Sequence, residues 1–266
     1  MRNIIKLSTL ILAFVLVGCN AVDDTRFKPN TTSGWVEFET SSMLLLSTDR
    51  TLDIPIEYNV PVNEIDTQIS YTVEVIGPNP GVETGDFVTT VPADSREVGF
   101  TYDILGAEDN YTVRFTITAT SNPDVIIGLD GDNPDVLEIA VVANWNGVAF
   151  FNGAENNNFV TSILPTGNPN EFSVSSCWGD NYVAGVTGNP DFEGQFVYPG
   201  TLTFNDDNTL VITSDDPALP GTVLQDDADD GNLLDLEENE IRYTLEQGIF
   251  TGDFTVPVIL TPLAVE

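Results

Sequence analysis

Apolar residues recur at every second position over most of this chain, and that period admits strands and little else. Leu52, Ile54, Ile56, Tyr58 and Val60 share one face, with Asp53, Pro55, Glu57 and Asn59 on the other. A longer stripe, Tyr111, Val113, Phe115, Ile117 and Ala119, alternates with Thr112, Arg114, Thr116 and Thr118. A strand sends successive side chains to opposite faces, so each stripe describes a sheet with one buried side. No stretch of useful length repeats at three and four residues, as a core-facing helix requires. Turn chemistry separates the stripes at Gly77-Pro78-Asn79-Pro80-Gly81, at Gly85-Asp86 and at Asp130-Gly131-Asp132-Asn133-Pro134. Pro55 cannot donate a ladder hydrogen bond, which predicts an edge position for its strand.

The pattern changes near Asn144, where a Gly/Asn-rich rhythm begins. Residues 34–143 are expected to form one domain and residues 144–266 a second. In the first, Trp35 to Glu39 and Leu137 to Val142 supply the opening and closing strands of about seven, the number of an immunoglobulin-like sandwich. The second carries candidate strands from Val148 to Leu260, including Tyr182 to Val186. Asp206-Asp207-Asn208 is a hairpin turn between two of them. Its strand count suits a small antiparallel barrel or a second sandwich. The fold class is all-β.

Two resemblances refine this reading. The run Gly85-Asp86-Phe87-Val88, then Val98-Gly99-Phe100-Thr101-Tyr102-Asp103 and Tyr111 to Ile117, resembles the middle of a Calx-beta domain. That resemblance implies acidic loop residues able to hold calcium, with Asp103, Glu108 and Asp109 at the matching positions. Read without it, the same acids cap exposed strand ends. Asn170 to Val174 and Phe250 to Val256 resemble the carboxy-terminal β domain of small surface lipoproteins associated with glycan utilisation.

The amino-terminal segment fixes an expected location. Arg2 and Lys6 precede an apolar run, Leu7 to Val17, of the length of a signal core, which ends in Leu16-Val17-Gly18-Cys19. This box resembles a bacterial lipoprotein signal. It implies removal of residues 1–18, lipidation of Cys19 and attachment to the bilayer, with residues 19–33 as an acidic tether. Asp23-Asp24 resembles an export signal for surface lipoproteins, so the expected location is the outer membrane, facing the exterior. Loss of Arg2 and Lys6 takes the formal charge from −34 to −36. Such a surface repels phosphates and excludes nucleic acid as a partner class. With Cys19 lipidated, Cys177 has no disulfide partner and reads as a small buried hydrophobe.

The chain contains no His, which excludes a Ser-His-Asp triad, a Cys-His pair and a His metal site. A carboxylate pair for glycoside hydrolysis stays formally open, but nothing singles out one pair among 42 acids. The expectation is therefore a non-catalytic binding or accessory protein for glycan capture. The alternatives are a structural or adhesion spacer that binds other surface proteins, and, third, a carboxylate-based glycosidase. Sugars stack on exposed aromatic rings while amides and acids bind their hydroxyls. Trp178, Asp180, Asn181 and Tyr182 on one loop, with Trp145 between Asn144 and Asn146, are the expected ligand platform. A calcium loop is expected at Gln225 to Glu240, through Asp226, Asp230 and Glu237, because hard Ca²⁺ takes several oxygens from a tight acidic loop. Ala228 and the extended flanks exclude an EF-hand.

Overall fold

The computed structural model describes residues 33–61, 63–95, 97–128, 135–214, 221–222, 232–252 and 254–265. Residues 1–32, residues 129–134 and most of the acidic loop at Gln225 to Glu240 lie outside them. Two sheets build the first half. β1 (Gly34–Phe38), β3 (Arg50–Asn59), β6 (Glu97–Ile104) and β8 (Val125–Ile127) pair in the order β6-β3-β1-β8. β2 (Ser42–Leu46), β4 (Thr67–Ile76), β5 (Gly85–Val91), β7 (Tyr111–Thr120) and β9 (Val136–Val142) pair in the order β2-β9-β7-β4-β5.

The sheets face each other across one core, as an immunoglobulin-like sandwich does. Val36, Ile54, Ile56 and Tyr58 come from one side, and Val73, Tyr111, Val113 and Phe115 from the other, all buried. Phe115 receives Tyr102 edge-on with ring centres 4.9 Å apart, and Tyr71 stacks on Phe100 at 4.2 Å. Two expectations change. The strand holding Pro55 lies inside its sheet, between β1 and β6. It tolerates proline because the β1 ladder stops at Phe38↔Ile56, leaving Pro55 paired on one side only, to Gly99. Ala119 leaves the buried face: the register passes from Tyr71↔Ile117 to Ser70↔Ala119, so Thr118 bulges and the alternation skips.

The chain enters the second half through a single residue, Ala143. β10 (Asn144–Phe151), β11 (Ala154–Pro165), β12 (Glu171–Val174), β13 (Gly200–Phe204) and β14 (Leu210–Thr213) run as an antiparallel meander. β15 (Gly221–Thr222), β16 (Leu233–Asp235), β17 (Glu240–Glu246) and β18 (Thr255–Pro262) complete it, with β18 beside β10 and both β15 and β16 on β17. A bridge between Thr209 and Leu233, with Leu210 N donating to Asn232 O at 2.9 Å, brings the far ends together. Of the two architectures expected, this is the barrel, nearly closed. The Asp206-Asp207-Asn208 hairpin forms as expected, with Asn208 at positive φ (65°). Trp145, Ile163, Trp178, Leu202, Ile212, Tyr243, Leu245 and Leu260 fill the interior. Gly147 lets the ring of its cross-strand partner Phe159 lie over β10, since a Cβ there would sit 2.3 Å from it.

The two cores are joined. Leu46 and Val142, on the sandwich strands β2 and β9, belong to the barrel's core, with Leu44 and Ala140 packed against it. Buried Asn110, just before β7, closes the seam. Its Nδ2 donates to Asn144 O (2.9 Å) and Leu263 O (2.7 Å), and its Oδ1 accepts from Ala143 N (2.8 Å) and Asn144 N (2.7 Å).

Candidate functional site

Three of the five residues expected to form the ligand platform are core. Trp178 is 0% exposed, stacked on Tyr182 at 4.8 Å and met edge-on by Tyr198 at 5.4 Å. Its Nε1 donates to Phe196 O, and the Tyr182 hydroxyl donates to Phe150 O at 3.0 Å. The reason is local. The segment between β12 and β13 folds back as a plug, held by Cys177 N donating to Tyr198 O (2.9 Å), and it turns its aromatic rings inward. Trp145 is 0% exposed as well, because it lies on β10 rather than a loop and shares the inward phase with Gly147 and Ala149. None of these rings offers a face to a ligand.

The same plug replaces the strand expected at Tyr182 to Val186 by a short helix, α1 (Tyr182–Thr187). Tyr182, Val183 and Ala184 are buried in succession, which an alternating strand could not do, and Gly188 ends the helix in the left-handed conformation (φ 66°). Cys177 is buried against Gly200 of β13, its thiol pushed up to about 12 by burial. That is the inert hydrophobe expected of it.

Asp180 and Asn181 do reach the surface. Asn181 lines a depression of about 350 Å³ with Asn156, Asn157, Ala184, Gly185, Gly188, Pro190 and Glu193. Each amide is tied to the framework by one end. Asn156 Nδ2 donates to Tyr182 O (3.1 Å), Asn157 Nδ2 to Trp178 O (3.1 Å), and Asn181 Oδ1 accepts from Gly194 N (3.1 Å). Asn156, Asn157 and Glu193 were not expected at a site. The signal in the sequence is the run Asn156-Asn157-Asn158, which a polar strand face would also explain.

A larger groove, about 790 Å³, runs over the outer face of β3 and β6 past Glu39, Asp53, Pro55, Glu57 and Gly99. Cross-strand register sets Glu37 opposite Glu57, a like-charge pair that costs stability.

Of the expected calcium ligands, Asp226 and Asp230 lie outside the described residues. Glu237 is exposed in a turn where its backbone N donates to Asp235 Oδ1 at 3.0 Å. Asp103, Glu108 and Asp109 are exposed too, Asp103 accepting from the Thr51 hydroxyl at 2.6 Å. Among the described residues no three Asp, Glu, Cys or His side chains converge on one point. Cys19 lies outside the described residues as well.

No protein-family model matches the chain, and no curated protein does. Among solved structures it is similar to the apo form of the Calx CBD1 domain, at 10% identity and a TM-score of 0.34 over 40% of this chain and 93% of that one. It is similar to CBD12 from CALX1.2 at 8% identity and TM-score 0.35, over 53% of this chain and 79% of that one. The calcium binding domain CBD12 of CALX1.1 aligns at 9% identity and TM-score 0.33, over 55% of this chain and 59% of that one.

Proposed function

We propose that this is a lipid-anchored, exported binding or accessory protein, held at the outer surface through Cys19 and presenting a sandwich and a barrel to a polysaccharide or a surface protein. The observation that carries the reading is the box Leu16-Val17-Gly18-Cys19 at the end of an apolar signal core. Three acyl chains, each buried methylene adding about 0.8 kcal/mol, hold a protein on a bilayer without a spanning helix. The acidic surface supports the same reading, since it keeps the body off anionic head groups and phosphates. The joined cores support it too. A body stiffened at Asn110 carries the barrel away from the membrane as one arm.

Protease treatment of intact cells tests display. The chain is expected to be degraded from outside in cells whose periplasmic proteins stay intact, and Cys19→Ala is expected to release it from the membrane fraction. Full protection until the cells are opened would contradict outward display.

A further inference from the structure

We infer that the depression beside α1 is a binding site for a neutral polyhydroxylated ligand, a saccharide unit, recognised through its hydroxyl groups. The inference rests on the amides lining it. Three of them use one end to bond the backbone, and this fixes which end remains. Asn156 and Asn157 donate through Nδ2 to the carbonyls of Tyr182 and Trp178, so each presents its Oδ1. Asn181 accepts from Gly194 N, so it presents its Nδ2. Glu193 adds an exposed carboxylate on the same rim.

The depression therefore offers acceptors and a donor side by side, in orientations set before any ligand arrives. A hydroxyl both donates and accepts, and adjacent hydroxyls on a ring meet such a set. An ammonium group could satisfy the acceptors but would leave the Asn181 amide without an acceptor. A phosphate or carboxylate would face Glu193 and two acceptor oxygens. Gly185 keeps the depression open, since a Cβ there would lie 2.7 Å from Asn156 Oδ1. The volume, about 350 Å³, lies at the small end of the range for ligand pockets and suits one sugar ring rather than a long chain. Prearranged hydrogen-bonding groups spare the ligand the ordering that a flexible loop would demand. Among the described residues no aromatic ring lines the depression, so affinity from them comes from polar contacts and is expected to be modest.

The inference deepens the binding-protein reading, and the two fail separately: a free Cys19 leaves the depression intact, and a silent depression leaves the anchor standing. The experiment is a calorimetric or NMR titration of the chain from Cys19 to Glu266 with methyl glycosides of gluco, galacto, manno and xylo configuration. Glucosamine and glucuronate serve as charged comparators. Saturable binding of at least one neutral glycoside is expected. Asn181→Asp keeps the bond to Gly194 N but replaces the donor, and should weaken binding about tenfold, the worth of one hydrogen bond. Gly185→Ala, which favours the helix, should weaken it similarly by displacing the Asn156 amide, with an unchanged melting temperature. Three results would each overturn the proposal: no binding by any neutral glycoside, binding that survives both variants, or a preference for either charged sugar.

Discussion

Asn110→Leu is expected to lower the stability of this protein by about 4 kcal/mol, since each buried group left without a partner costs about 1–3 kcal/mol. The shape of the side chain barely changes. The substitution strips partners from the carbonyls of Asn144 and Leu263 and from the N–H groups of Ala143 and Asn144. Those four groups sit where β9 becomes β10 and where β18 ends, so the loss falls on the seam between the cores. Some water will reach them, which keeps the figure below the sum of four full penalties. The unfolding curve in urea should move to lower denaturant and broaden, as the barrel and sandwich begin to unfold apart. Asn110→Asp should behave no better, because its second oxygen would face two carbonyls. A loss below about 1 kcal/mol would mean the seam is held by the apolar contacts of Leu46 and Val142 alone.

Trp178→Ala is expected to cost about 3–5 kcal/mol, the range for an aromatic ring removed from a packed core. The indole is fully buried, sandwiched with Tyr182 and Tyr198, and its Nε1 satisfies the Phe196 carbonyl. Its loss leaves a cavity under α1 and an unpartnered carbonyl in the same plug. A surface stacking platform would behave in the opposite way, losing ligand with its melting temperature intact. Thermal unfolding of Trp178→Ala, with Trp178→Phe as the milder comparison, separates the two. An unchanged melting temperature would return Trp178 to the surface and contradict the barrel core described here.

The fold was more legible than the site, for a physical reason. A period of two is written by burial on one face. It placed the stripes of β3 and β7 correctly, losing phase in β7 where the ladder itself departs from regularity, at the Thr118 bulge; it failed outright at Tyr182 to Val186, which is helix. Pro55 misled because edge or interior is decided by where a neighbouring strand ends, and the end of β1 at Phe38 leaves no mark in the sequence of β3. The plug misled in a further way. Ser175 to Tyr182 has the composition of a polar loop with two aromatics, but composition does not say which way a ring turns. Cys177, Trp178 and Tyr182 turn inward to close a barrel end, and only Asp180 and Asn181 stay outside. Asn156 and Asn157 join Asn181 from a strand some two dozen residues earlier, across a pairing that only the three-dimensional fold discloses. The packing of Leu44, Leu46, Ala140 and Val142 against the barrel was hidden for a similar reason. Towards their carboxy-terminal ends these strands are apolar on both faces, and the second face reads as noise until its partner is known.

The proposed processing and anchoring through Cys19 would show directly in the intact mass of the protein extracted in detergent from its own membranes. The expected chain begins at Cys19, lacks residues 1–18 and carries a diacylglycerol thioether together with an amino-terminal acyl chain. A chain that begins at any other residue, or a Cys19 with its sulfur and amino group unmodified, would contradict it.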